Sequence, residues 1–147
     1  MDVQIREITE DNFVEALHLE VALEQRSFVA SNAASIAQSK FHTFLECYGI
    51  YDGDRMVGFA VCGANPEDGT IWIARHMVGA EFQGQGYGRA GLRGIVAHLR
   101  AEHGPVPIFL DVAPANARAT ALYESEGFHD TGRVQGESRV YRLDPPA

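Results

Sequence analysis

The sequence predicts a mixed α/β fold on a sheet that is largely antiparallel in its first half. Three observations lead there. The first half carries a strong hairpin signal, Asp52-Gly53 between two apolar runs. The second half alternates helix-period segments with short apolar strands. The chain has 147 residues, 46% hydrophobic and 22% charged, which suits one globular domain that buries a core without disulfides.

Taken in order, Val3 and Ile5, then Arg6-Glu7-Ile8, mark a short first strand. Thr9 is a candidate N-cap, with Glu10 and Asp11 placed favourably in a first helical turn. Phe13, Ala16, Leu17 and Val21 then form an apolar stripe at helical spacing. A second helix starts near Ser31-Asn32 and runs through Ile36, while Phe41 to Tyr48 fits either helix or strand. Tyr48–Tyr51 and Met56–Val61 are the arms of the hairpin. Asn65 to Gly69 is a turn, and Thr70 to Val78, rich in Ile, Trp and Val, is the next strand. Beyond a glycine-rich loop, Leu92, Ile95, Val96 and Leu99 fall on one helix face, and Gly104-Pro105 stops that helix. Ile108–Val112 is a central strand. Asn116 caps a helix that ends at Gly127, and two strands follow, from Phe128 and over Glu137–Leu143.

The net charge is −8, and its distribution is uneven. Residues 1–70 hold twelve acidic and four basic side chains, whereas residues 71–147 hold eight of each. An acidic chain of this kind argues against a nucleic-acid partner. No apolar run is long enough for a membrane helix, and the N-terminus lacks a signal-peptide layout. Cys47 and Cys62 form no CxxC pair, and the six histidines show no ligand spacing such as HExxH. The expectation is a cytoplasmic protein with no metal and no membrane partner.

The glycine loop reads Gln83-Gly84-Gln85-Gly86-Tyr87-Gly88-Arg89-Ala90-Gly91. Closely spaced glycines let successive amides turn toward one anion, and the following helix adds its N-terminal dipole. Gly86 to Gly91 satisfies the dinucleotide fingerprint G-x-G-x-x-G, with Asp111 placed as the ribose acid. That reading fails on context. Seven residues, Gly79 through Gln85, separate Val78 from Gly86, and only 36 residues follow Asp111. The absence of Gly-Lys-Ser/Thr likewise excludes a P-loop.

The remaining reading is a pyrophosphate cradle. Gln83-Gly84-Gln85-Gly86-Tyr87-Gly88 resembles the Q/R-x-x-G-x-G/A loop of the GNAT superfamily of acetyl-CoA-dependent N-acetyltransferases, with Val78 five positions before the Gln as in that family. Asn116 to Phe128, with Leu122-Tyr123 and Gly127-Phe128, resembles the family's following block, N-x-x-A-x-x-L-Y-x-x-x-G-F. The resemblance covers nearly the whole chain in element order. It implies the GNAT fold, with a cofactor cleft where two parallel strands, here 70–78 and 108–112, splay apart. It also implies acetyl-CoA as cosubstrate, its pyrophosphate on the amides of Gln83, Gly84, Gln85, Gly86, Tyr87, Gly88 and Arg89. Met77 and Val78 would pair with the pantetheine arm, and their amides would serve the oxyanion. Asn116 would reach the pantetheine or act as a plain N-cap. A homodimer is compatible with the resemblance.

The implied reaction is attack of a primary amine on the thioester. Tyr123 stands where the family's general acid stands, and a packed helix aromatic is the plainer reading of it. Similarity is greatest to the spermidine/spermine N-acetyltransferase branch, whose members carry an acid four residues before the position of Val78. Ala74 occupies that position here. His76, two residues on and therefore on the same strand face, is a substitute base or a core histidine. The segment Leu19 to Asn32 also resembles that branch. Glu20 and Glu24, one helical turn apart, with Gln25 and Phe28, are the candidate contacts for a cationic amine. A solvated helix face is the competing account of the two glutamates, and core packing that of Phe28. A polyamine or diamine is the acceptor that fits best. The alternatives are another primary amine, such as an aminoglycoside or a protein N-terminus, and a non-catalytic acyl-CoA binding module.

Overall fold

The structure, a computed structural model describing residues 1–147, is built on one seven-stranded sheet. Its elements are β1 (Gln4–Glu7), α1 (Phe13–His18), α2 (Asn32–Phe41), β2 (Leu45–Asp52), β3 (Arg55–Ala64), β4 (Ile71–Val78), α3 (Tyr87–His103), β5 (Ile108–Val112), α4 (Ala117–Ser125), β6 (His129–Gln135) and β7 (Ser138–Leu143). Short 3₁₀ turns lie at Leu23–Gln25 and Ala80–Phe82. The strand order is β1-β2-β3-β4-β5-β7-β6. No helix is long and apolar enough to cross a membrane.

The hairpin is as the residues dictate. Tyr51 pairs with Met56 and Asp52 with Arg55, and Gly53 takes φ +61° at the turn, which side chains with a Cβ rarely adopt. β3 is an unbroken apolar run from Met56 to Cys62, and the whole run is buried, as expected for a central strand covered on both faces. On α3 the predicted face is realised: Leu92, Ile95 and Leu99 are no more than 1% exposed. The helix also lies close to the sheet, because a Cβ at Gly94 would come within 3.1 Å of Ile5 Cδ1.

One pair of strands organises the site. β4 and β5 run parallel, but they pair only at Ile71↔Ile108 and Trp72↔Phe109. Every other neighbouring pair is antiparallel. Past Trp72 the edge of β4 that faces β5 is unpaired, and a cleft opens there.

The first helix is shorter than its apolar periodicity predicts. It begins at Phe13 after Asn12, not at Thr9, and ends at His18, so Val21 lies outside it. Thr9 instead donates its amide to Asn12 Oδ1 at 2.7 Å in a tight turn. At the far end the buried Asn32 side chain donates to the carbonyls of Ala16 (2.9 Å) and Leu19 (3.2 Å). That use of Ala16, with Leu19 in extended conformation (φ −79°, ψ 123°), stops the helix and redirects the chain. Ala16 and Leu19 are buried, while Phe13 and Leu17 remain largely exposed. The ambiguous stretch divides at His42, with α2 before it and β2 from Leu45.

Candidate active site

The cleft has two lobes. The smaller, about 280 Å³, is lined by Met77 and Val78 of β4, by Gln83, Gly84, Gly86, Gly88 and Arg89 of the glycine turn, and by Arg118 and Leu122 of α4. The larger, about 760 Å³, lies beyond the divergence of β4 and β5 and includes Trp72, Ala74, Arg75, Asp111 and Gln135. Phe28, Val29, His76, Asn116, Ala119 and Tyr123 line both and form the seam.

The smaller lobe is an anion cradle. Gly84 and Gly86 take φ +77° and +92°, so the turn between the 3₁₀ segment and α3 depends on glycine there. No amide from Gly84 through Arg89 reaches a protein acceptor. The last three are also the free N–H groups of the first turn of α3, so the helix dipole reinforces them. Arg89 and Arg118 add positive charge at the lobe, Arg89 being held from behind by Glu126 at 3.1 Å. Gln83 is a structural hub. Its Nε2 donates to Val78 O (3.0 Å) and Gln25 Oε1 (2.8 Å), and its Oε1 accepts from Arg118 (3.3 Å).

Two motif residues turn away from this lobe. The Tyr87 side chain is buried and its hydroxyl binds Asp52 of the hairpin, and Gln85 Nε2 donates to Glu81 O. Only the amides of Tyr87 and Gln85 remain for a ligand. Asn116 does cap α4, with Oδ1 accepting from the Ala119 amide at 3.3 Å, and it also lines both lobes.

Tyr123 stands at the seam with 8% of its surface exposed. Its hydroxyl has no protein partner and is not sealed in, so it is open to the cleft. Burial, with the negative charge of Asp111 behind it, pushes the phenol up to about 12. His76 is a different case. Its Nε2 is enclosed without a hydrogen-bond partner and lies 3.3 Å from where a Cβ of Gly91 would stand, against α3. Burial pulls its pKa down to about 4, which makes it a poor proton acceptor at neutral pH.

Asp111 is the functional candidate that sequence reasoning set aside. It was visible only as the ribose acid of a failed motif. With Ile71 beside Ile108 and Trp72 beside Phe109, the register carries Asp111 to the level of Ala74, where the similar branch has its acid. Both line the larger lobe with Tyr123. Burial raises the Asp111 carboxyl, while its own backbone hydrogen bond and the Arg75 charge oppose that rise.

The predicted pair Glu20 and Glu24 is not brought to the cleft. Because α1 ends at His18, the two do not share a helix face. Glu20 is on a loop, 2.9 Å from Arg26 Nη2 in an exposed ion pair, and Glu24 is exposed in a 3₁₀ turn. Gln25 and Phe28 from the same segment do reach it.

A mixed sheet that parts between two parallel strands, with an amide-lined glycine turn at the opening, is the fold of the acetyltransferase class. Residues 4–128 match the acetyltransferase (GNAT) family, and the chain belongs to that family. A spermine/spermidine N(1)-acetyltransferase of Bacillus subtilis is 29% identical over 140 residues, covering 91% of this chain and 92% of that one. Among solved structures, the fold is shared with the spermidine N-acetyltransferase of Vibrio cholerae in complex with CoA and spermine (TM-score 0.73, 18% identity, 96% and 93% of the two chains). It is also shared with the aminoglycoside acetyltransferase AAC(6')-Ib in complex with coenzyme A (TM-score 0.80, 18% identity, 98% and 95%).

Proposed function

We propose that this acetyltransferase uses acetyl-CoA to acetylate a primary amine of a small cationic acceptor of the polyamine or diamine type. The observation that carries the reading is the two-lobed cleft, with free amides in one lobe, a carboxylate in the other and an unpartnered phenol between them. Full-length similarity to a spermine/spermidine acetyltransferase supports the acceptor class.

The run of free amides and the two arginines fit a pyrophosphate, and the open edge of β4 fits an extended pantetheine arm. Bound there, acetyl-CoA supplies an activated acetyl thioester. The Val78 amide, on the edge of β4 turned away from β3, faces the place where negative charge develops on the carbonyl oxygen; the Met77 amide that the resemblance pairs with it is instead turned to Phe59 of β3. Asp111 takes a proton from the incoming ammonium so that a neutral nitrogen attacks. The N–C bond forms as the C–S bond breaks, the Tyr123 hydroxyl donates its proton to the departing sulfur, and the nitrogen's second proton restores the phenol. The products are an amide and a free thiol.

The test is thiol release from acetyl-CoA by the purified chain over an amine panel containing spermidine, spermine, putrescine and an aminoglycoside. Turnover with the aliphatic amines is expected. Coenzyme A binding without thiol release from any amine would replace this reading with that of a binding module.

A further inference from the structure

The larger lobe holds a guanidinium that nothing in the protein uses. Arg75 of β4 is half-buried and lines the lobe, yet it makes no hydrogen bond and no ion pair. Most of the other arginines are engaged. Arg26, Arg89, Arg93, Arg139 and Arg142 meet carboxylates, and Arg6, Arg100 and Arg118 donate to neutral oxygens. Arg75 and Asp111 feel each other's charge, but they do not close into a pair. They stand on the two strands that diverge, with the cleft between them.

The Arg75 nitrogens are open to the cleft, and the planar fork they form is suited to bind a carboxylate through two parallel hydrogen bonds. A carboxylate and an ammonium side by side, one aimed at Arg75 and the other at Asp111, would satisfy both groups at once. A simple polyamine, cationic along its whole length, would bring like charge against Arg75.

We infer that the acceptor is an α-amino carboxylate, a cation that carries its own carboxylate beside the reacting amine, held by Arg75 through the carboxylate and by Asp111 through the nitrogen. This rests on the acetyl-transfer reading above and replaces its plain polyamine with an amine that carries an α-carboxylate. The α-ammonium gives one proton to Asp111 and forms the new N–C bond, the C–S bond breaks, Tyr123 protonates the sulfur, and the nitrogen's second proton restores the Tyr123 phenol. The product is an Nα-acetyl acid.

Matched amines that differ only in the α-carboxylate test it: ornithine against putrescine, and lysine against cadaverine. With the full chain and saturating acetyl-CoA, the carboxylate-bearing member should be favoured in kcat/KM by about tenfold or more, with the acetyl group on the α-nitrogen. Arg75→Gln should cut kcat/KM for that member by about ten- to hundredfold, mainly through KM, and shift that of the plain diamine by no more than about threefold, through the loss of its charge beside Asp111. Arg75→Lys should restore part of the loss. A preference for the plain diamine, acetylation of the distal nitrogen, or an equal effect of Arg75→Gln on both members would overturn the inference. The last result would mark Arg75 as a counter-charge for Asp111 alone. Thiol release with diamines only removes this inference and spares the acetyl-transfer reading, whereas no release with any amine removes both.

Discussion

His76→Leu separates a packed histidine from a catalytic one. The native ring holds its proton only below about pH 4, against 6.5 for a free histidine. Between those values the unfolded chain binds more protons than the folded one, so stability falls as the pH drops from 6.5 to 4. At about 1.36 kcal/mol per pKa unit the full displacement is worth about 3 kcal/mol; screening by water at the cleft-lining part of the residue lowers this to about 2 kcal/mol. Urea unfolding of the wild type and of His76→Leu at intervals from pH 7 to pH 4 should therefore diverge, the variant gaining on the wild type toward the acid end. At pH 7 the variant should be at least as stable, since leucine removes an enclosed nitrogen without a partner. Turnover should stay within about threefold, because proton transfer is assigned elsewhere; a lost general base costs about a hundredfold or more. Parallel unfolding curves across this range would refute the displaced titration. A hundredfold loss of kcat with unchanged stability would make His76 the base.

Tyr123→Phe should lower kcat by about a hundredfold or more in the thiol-release assay, while calorimetric affinity for coenzyme A stays within about twofold. Because the phenol keeps its proton to about 12, the wild-type rate should show no alkaline decline due to this group up to pH 10. Asp111→Asn should cost about a hundredfold in kcat/KM and remove the acid limb of the pH–rate profile, which the raised carboxyl places above the usual aspartate range. Gly86→Val, at φ +92°, should distort the start of α3 and raise the KM for acetyl-CoA at least tenfold, with a smaller effect on the acceptor KM. Asn32→Ala strips the carbonyls of Ala16 and Leu19 of their buried donor and should cost about 1–3 kcal/mol in thermal or urea unfolding.

Features that repeat locally were legible from the residues. The apolar period of α3, the Asp52-Gly53 turn, the cap and glycine stop around α4 and the glycine loop each have a local cause, and each formed where expected. Misread features depend on partners distant in the chain. The end of α1 is set by Asn32, which lies beyond it in sequence and competes for its carbonyls. Asp111 alternates with buried Leu110 and Val112, a pattern that describes a solvated strand face as well as a cleft wall. Only the loss of pairing after Trp72 distinguishes the two, and strand divergence leaves no mark in composition or periodicity.

The shared seam divides the cleft into regions with unequal freedom to change. A substitution at Phe28, Asn116 or Tyr123 disturbs both lobes together, so cofactor handling and acceptor choice are bound to each other there. Gln38, His42, Trp72 and Gln135 line only the outer lobe. Variation at those four positions can reshape the acceptor repertoire while the thioester-binding half of the molecule stays intact, which makes the outer wall the natural target for diversification.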